Sequence, residues 1–400
     1  MADDSHIELP GMDGRRVDVL FIAGEHSGDE HAAEVIRGIR KKAPELSIAA
    51  VGGTRMEAAG AALLHDLTAT SVVGLVEVLR HYRYFKRLFD ALLHWVEEHR
   101  PRVVVLVDYP GFNLRFAAAL QRAGISRKGG GPTAVYGYIS PQIWAWKAGR
   151  RFRMAEVLDE VGVIFPFEVD CFADTDLDTR FVGHPFLLSG AAPPLRFDAD
   201  GPVLLLPGSR LQPIGRILPA MLRGAAQARR EGWLDAVTVI YPSPGARALI
   251  EKIHTAEGGD RLLPRLDLVP AGEEAGGRAV LTSSGTMSLA CALAGIPGAI
   301  VYRAHPLTYF IGRRVVSVPY LGIANLILEQ PFYPEYIQGE ATAANLAREL
   351  RVCLHDAERL KATTEGAARL RETLAAPARE GPHDRILDYA RGGPPASGGR

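Results

Sequence analysis

VDVLFIAGEHSGDEHAAEVIRGIRKKAP, residues 17–44, sets the fold class. Val17–Gly24 is an almost unbroken apolar run ending at glycine, the pattern of a strand covered on both faces. Gly24–Asp29 turns the chain into a helix that Pro44 ends. The same unit returns in PRVVVLVDYPGFNLRFAAALQRAG, residues 101–124, with Asp108 at the strand's C-terminal end. Leu46–Val51, closed by Gly52 and Gly53, reads as a second short strand. Ala134–Ile139 and Glu160–Ile164 are further apolar segments, and Val72–His99 reads as mostly helical. Buried runs alternating with helices specify an α/β fold with a parallel sheet.

SGAAPPLRFDADGP, Ser189–Pro202, is rich in Pro, Gly and Ala and reads as an interdomain linker. After it the rhythm restarts with VLLLPGSR (Val203–Arg210), Val237–Tyr241, RAVLTSSGTMSLACALAG (residues 278–295) and AIVYR (Ala299–Arg303). The expected architecture is two Rossmann-like domains, residues 17–188 and 203–365, with parallel sheets facing across a cleft. A flexible N-terminus (1–16), C-terminal helices (366–390) and a disordered tail (391–400) complete it.

The 400 residues suit two domains. Lys+Arg and Asp+Glu number 46 each, a balance that argues against bulk nucleic-acid binding but leaves room for a local basic patch. Cys171, Cys291 and Cys353 are far apart, with no zinc-like or disulfide-framework spacing. No metal or cofactor is expected, and a reducing cytoplasm fits. The acidic N-terminus lacks the apolar stretch of a secretory signal. No apolar run reaches the roughly 18 residues of a span, so any membrane contact is expected from the surface.

Ligands of open α/β sheets sit beyond the C-terminal strand ends. Four loops leave strands there: GEHSGD (Gly24–Asp29), DYPGFN (Asp108–Asn113), PGSR (Pro207–Arg210) and SSGT (Ser283–Thr286). In SSGT, Ser284 and Gly285 precede a helix starting near Thr286, whose free N–H groups favour phosphate. Gly208, Ser209 and Arg210 of PGSR add a fork-shaped phosphate donor. A plain helix cap explains either motif taken alone. In GEHSGD, Glu25 is a polar contact or general base, while Ser27, Gly28 and Asp29 are either cleft residues or helix-turn residues. The G-x-S-x-G nucleophile elbow is not met, because His26 holds the serine position. Asp108 is a second base candidate, and Asn113 of the same loop is a cleft candidate.

ISPQIWAWKAGR (Ile139–Arg150) carries two of the four tryptophans. Gln142, Trp144 and Trp146 are cleft-lining candidates with core packing as the alternative, and His184 of FVGHP reads as a hinge, cleft or structural histidine. Val72, Val73, Leu75 and Val76 with Arg80, Arg83, Lys86 and Arg87 mix apolar and basic residues, suiting either an interfacial helix or one packed on the sheet. The D-x-D pairs at Asp174–Asp176 and Asp198–Asp200 read as solvated turns.

Taken together, AGEHSGD, VGGTRMEAAG, VVGLVEVL, VDYPGFNLR, YISPQIWAWKAGR, FPFE, FVGHP, LLPGSR, SSGTMSLACALAG, YRAHPLTYFIGRR and VPYLGIANLI resemble the lipid-A-disaccharide synthase family of GT-B-fold glycosyltransferases. The resemblance spans nearly the whole chain. It implies transfer of 2,3-diacylglucosamine from its UDP derivative to 2,3-diacylglucosamine 1-phosphate (lipid X), with inversion, without a metal, and with UDP leaving. It places the step in lipid A synthesis on the cytoplasmic face of the inner membrane. It also implies UDP held by the C-terminal half, with Asn325 of IANLI as a further donor-site candidate, and a homodimer with exchanged C-terminal parts. The sequence departs from the family pattern at Gly111 and Ala290, where many members carry acids. The competing functions are a UDP-sugar epimerase or hydrolase on the same fold, and a non-catalytic UDP-sugar binder.

Overall fold

A computed structural model describes residues 7–12, 16–67, 75–188, 194–305, 309–310, 318–377 and 380–392. The chain divides into two compact units, Met1–Ser189 with Leu374–Arg400, and Gly190–Thr373.

The first unit is built on strands β1 (Val19–Ala23), β2 (Ile48–Gly52), β3 (Ala62–Asp66), β4 (Val103–Val107), β5 (Ala134–Tyr138), β6 (Glu160–Val163) and β7 (Asp178–Phe181). Helices α1 (His26–Lys42), α2 (Thr54–Ala58), α3 (Leu75–His99), α4 (Pro110–Arg122), α5 (Arg150–Val157) and α6 (Pro185–Leu188) lie between and after them. All strand pairs are parallel, in the order β3-β2-β1-β4-β5-β6-β7. Strand β1 shows why its sequence is continuously apolar. Successive side chains point to opposite faces, and both faces are covered. Leu20 and Ile22 join a core with Leu88, Leu92, Trp95 and Val96 of α3. Val19 and Phe21 join another with Val35, Ile36 and Ile39 of α1 and with Ile386 and Leu387 of the terminal helix Pro382–Ala390.

That terminal helix is held by a buried ion pair. Arg385 Nε and Nη2 each donate to a Glu160 carboxylate oxygen at 2.8 Å, and Tyr389 Oη donates to the same carboxylate at 2.9 Å. The chain changes units at Leu374, the last residue of helix Ala357–Leu374.

The second unit repeats the plan. Strands β9 (Val203–Leu206), β10 (Val237–Tyr241), β11 (Leu266–Pro270), β13 (Ala279–Thr282), β14 (Gly298–Tyr302) and β15 (Glu335–Ile337) run in the order β11-β10-β9-β13-β14-β15, again parallel. Helices α7 (Leu211–Arg230), α8 (Pro244–Glu257) and α9 (Thr286–Leu293) precede Ile323–Leu328, Ala343–His355 and Ala357–Leu374. A two-stranded sheet pairs β8 (Leu195–Phe197) with β12 (Ala275–Gly277).

Three expectations about organisation change. The stretch 189–202 contains strand β8, because its Leu195 is buried. Residues 7–12 do not hang free: Ile7, Leu9 and Met12 pack on the first core, and Trp95 Nε1 donates to the Pro10 carbonyl at 3.0 Å. Residue 365, taken as the end of the C-terminal domain, falls inside helix Ala357–Leu374. The tail from residue 393 lies outside the described residues.

Candidate functional site

Each sheet reverses its winding direction once, and both reversals bring two of the four motif loops together. In the first unit the switch lies between β1 and β4, where Ala23 pairs with Val107. GEHSGD and DYPGFN therefore leave adjacent strand ends, the place where ligands of such sheets bind. In the second unit it lies between β9 and β13, where Leu206 pairs with Thr282, so PGSR and SSGT are neighbours.

The first switch point is strained and acidic. Asp108 and Tyr109 are consecutive left-handed residues, with φ of 45° and 48°, a conformation that costs about 1–2 kcal/mol per non-glycine residue. Three contacts enforce it. The Asp108 N–H donates to the Tyr138 carbonyl at 3.0 Å, and the buried Asn113 amide donates to the Asp108 carbonyl at 2.7 Å and the Val107 carbonyl at 3.2 Å. The Tyr109 ring lies over Gly24, where a Cβ would stand 2.2 Å from Tyr109 Cδ1, so only glycine fits. Burial and the nearby Glu25 carboxylate push the Asp108 carboxyl above the ordinary range, against the Tyr109 backbone hydrogen bond that lowers it. Burial and Glu25 also raise the Tyr109 phenol. Glu25 is exposed at the start of α1, and its side chain makes no cap.

The neighbouring candidates divide by environment. Ser27 is exposed and Gly28 is packed close to Ala23 and Val107. Asp29 is buried and accepts from the backbone N–H groups of Gly53, Arg55 and Met56 at 3.0, 3.2 and 3.1 Å. It anchors the start of α2, so its part is to position the turn. Gln142 is exposed, on the loop that leaves β5 beside Asp108. Trp146 is 45% exposed, with Lys147 Nζ 4.5 Å from its ring centre. Trp144 is half-buried, edge-on to Phe167.

His184 is buried between Phe165 and Phe186. Burial, helped by His31, lowers its pKa to about 3, and its Nδ1 accepts from the Phe186 N–H at 3.2 Å. It is a neutral structural histidine at ordinary pH. Sequence reading missed Tyr109 and Glu168. Glu168 Oε2 accepts from the Ile164 and Phe165 N–H groups at 3.2 and 3.1 Å. Its burial still raises the carboxyl to about 8. Trp144 Nε1 favours the charged form from nearby, although its contact falls short of hydrogen-bond geometry. The FPFE segment was the only signal that could have found Glu168.

The second switch point is open and basic. Helices α7 and α9 both begin there, capped by Arg210 and Gly285 without side-chain cap bonds and without acids in their first turns. Their free N–H groups are available to an anion. Gly208 has φ of +117°, and a Cβ there would lie 3.2 Å from Ser283 Oγ, so the two loops nearly touch. Ser209, Arg210 and Thr286 are exposed, and Ser284 and Gly285 half-buried. Among the described residues, Arg210 has no ion-pair partner. Asn325 is placed differently from expectation. It is fully buried; its amide donates to the Tyr333 carbonyl (2.7 Å) and Glu335 Oε1 (2.9 Å), and its Oδ1 accepts from the Tyr333 N–H (2.8 Å). Glu335 in turn accepts from the Leu321 and Gly322 N–H groups. Asn325 therefore braces a loop and offers no free polar atom to a nucleotide.

The surface candidates sit on α3. Arg83 and Lys86 are exposed and Arg87 half-buried, opposite the buried stripe of Leu88, Leu92, Trp95 and Val96. Val72 and Val73 lie outside the described residues, and for Leu75, Val76 and Arg80 only the helical backbone is described. No described helix is long and apolar enough to cross a membrane. Asp174 is paired with Arg151 at 2.6 Å and Asp198 with Arg196 at 3.3 Å.

The family model described as lipid-A-disaccharide synthetase matches residues 19–383. A lipid-A-disaccharide synthase of Geobacter metallireducens is 34% identical over 366 residues, covering 89% of this chain and 92% of that protein. Among solved structures, a putative UDP-N-acetylglucosamine 2-epimerase from Listeria monocytogenes superimposes with a TM-score of 0.58 at 13% identity, covering 93% of this chain and 95% of that one. The calicheamicin glycosyltransferase CalG4 does so with a TM-score of 0.53 at 17% identity, covering 94% and 98%. These two share the fold, the GT-B arrangement of two Rossmann-like domains with parallel sheets. By the extent of the family match and of the sequence identity, the chain belongs to the lipid-A-disaccharide synthase family.

Proposed function

We propose that this protein is a glycosyltransferase that moves 2,3-diacylglucosamine from UDP-2,3-diacylglucosamine to lipid X, forming the β-1,6-linked disaccharide phosphate of lipid A synthesis. The observation that carries the reading is the division of charge between two like-built switch points. One holds the coupled acids Asp108 and Glu25. The other holds Arg210 and two uncapped helix N-termini.

The chemistry follows from that division. The acceptor's 6-hydroxyl oxygen attacks C1 of the donor sugar from the face opposite UDP, and the bond from C1 to the diphosphate oxygen breaks with its electron pair. The hydroxyl proton goes to the Asp108 carboxylate, a better base for being raised in pKa. Charge arriving on the diphosphate is stabilised by Arg210, the Ser284–Thr286 turn and the N–H groups opening α7 and α9. Ser27, Gln142 and Trp146 are the exposed groups available to the acceptor. The basic face of α3, with Arg83 and Lys86, suits acyl substrates presented at an anionic membrane surface. We place the protein there as a peripheral cytoplasmic enzyme, and as a homodimer that shares its terminal helices.

The test is incubation of purified protein with both lipid substrates, following disaccharide and UDP by mass spectrometry. Stoichiometric disaccharide and UDP are expected. Consumption of the donor alone, as free sugar or epimer, would move the epimerase or hydrolase reading ahead. UDP binding without any turnover would favour the non-catalytic one.

A further inference from the structure

The N-terminal strand ends of the first sheet, opposite the switch point, carry a second cationic feature. A cavity of about 540 Å³ opens among the segments that enter β1, β4 and β5 and the end of helix Pro382–Ala390. Arg16, His99, Arg100, Arg102, Arg127 and Arg391 line it. No acidic residue does. Strand β4 separates it from Asp108 by five residues, about 16 Å at roughly 3.3 Å per residue.

Two of these arginines have an ordinary structural role. Arg102 Nη1 donates to the Ala390 carbonyl at 2.5 Å, and its Nε lies 3.3 Å from Asp18. Arg100 Nε donates to the Glu97 carbonyl at 3.3 Å, near the end of α3. Both therefore cap helix C-termini. Helix capping does not account for the rest. Arg16 and Arg391 are exposed, and among the described residues neither side chain has a hydrogen-bond or ion-pair partner; the Arg391 backbone N–H donates to the Leu387 carbonyl at 3.0 Å. Arg127 stacks 5.3 Å from the Tyr389 ring centre and favours the charged form of Asp159 without pairing with it. Asp18 and Asp159 stand outside the lining and are held by backbone groups: Asp18 accepts from the Ser47 N–H and Asp159 from the Val135 N–H. Several like charges converging on one concavity repel one another, and a polyvalent anion relieves that repulsion. Guanidinium groups match phosphate oxygens in geometry and charge.

We propose that this pocket binds a phosphate-bearing anion, at a site separate from the one assigned to the sugar nucleotide. The volume exceeds a single phosphate and is in the range of small-molecule sites. The shared chemistry is a phosphate group, presented either by a soluble compound or by a lipid headgroup. Because Tyr389 and Arg391 belong to the returning terminal segment, occupancy also ties that segment to the first unit.

The test compares the wild-type protein with Arg16→Gln/Arg391→Gln, two exposed positions whose change removes no described contact. Inorganic pyrophosphate is titrated calorimetrically with UDP at saturation, so the sugar-nucleotide site does not contribute. In parallel, sedimentation is measured with phosphatidylcholine vesicles with and without phosphatidic acid. Saturable pyrophosphate binding, weakened about tenfold or more in the variant, assigns a soluble phosphate ligand. No pyrophosphate binding, but phosphatidate-dependent sedimentation that the variant loses, assigns a lipid phosphate. Either result supports the proposal. Binding to neither probe, or binding to either one that the variant leaves unchanged, overturns it. Arg127→Gln, which leaves both caps in place, is the second variant and should weaken the same probe.

Discussion

The two sheets share one topology and differ in what they hold at its reversal. At β1/β4 the chain is bent into two left-handed residues, an acid is pushed against its usual ionisation, and a tyrosine ring closes over a glycine. At β9/β13 the glycine turn at Gly208 has positive φ, and two helix N-termini stand open beside an arginine that has no ion-pair partner among the described residues. Burial beside another carboxylate suits a group that must take a proton, since both disfavour its charged form. Open N–H groups and a guanidinium suit a group that must accept negative charge. The fold thus supplies two equivalent positions, and local sequence gives one a buried acid and the other an arginine beside open helix N-termini.

That contrast can be broken at several points. The largest effect is expected for Asp108→Asn, which removes the base but keeps the hydrogen-bonded turn. It should lower kcat by about 10²–10⁴-fold and leave UDP affinity unchanged in calorimetry. An equal loss of UDP binding would show that the two sites are not functionally divided.

Next in size is Glu168→Gln. The folded state holds this proton up to about pH 8, whereas the unfolded chain releases it near 4.5. The folded state therefore binds more protons between those values, and stability falls as pH rises through that window. The variant should lack this fall, giving a difference on the order of a few kcal/mol by pH 9 relative to pH 4. Urea melts at the two pH values measure it; parallel losses in both proteins would place Glu168 in a wetter setting than its burial indicates.

Arg210→Gln should weaken UDP binding about tenfold to hundredfold without moving the acidic limb of the rate profile. A shift of that limb would tie Arg210 to the base instead. The smallest effect is that of Glu25→Gln. Removing the neighbouring negative charge lowers the Asp108 pKa, so the acidic limb of kcat against pH should move to lower pH. No movement would uncouple the two acids.

Legibility in the sequence tracked burial. Strands covered on both faces, such as VLFIA at β1 and VVVLV at β4, stood out as apolar runs. The edge strands did not. ALLHD at β3, DTRF at β7 and EYI at β15 are half-exposed and carry polar residues, so they lack that run. The motif loops were found because glycine, proline and charged residues cluster there. The pairing of PGSR with SSGT was inferred from their shared phosphate chemistry; that of GEHSGD with DYPGFN was not, since adjacency of β1 with β4 is a property of strand order. Asp29 and Asn325 read as site residues because polar side chains in family-like motifs look alike whether they face a ligand or a backbone. Only their hydrogen bonds separate the cases.

The sequence by itself determined the α/β class, the restart after residue 202, the family and the four loops that carry chemistry, because each is encoded in local composition and spacing. Tertiary structure decided which of those side chains remain free. It anchored Asp29, Asn325 and His184, left Glu25, Arg210 and Thr286 exposed, and pressed Asp108 into a turn its neighbours enforce. It also gathered Arg16, Arg100, Arg127 and Arg391 from four distant stretches into one pocket. Net charge is a sum and is blind to position; an electrostatic site depends on distances, and those exist only once the chain is folded.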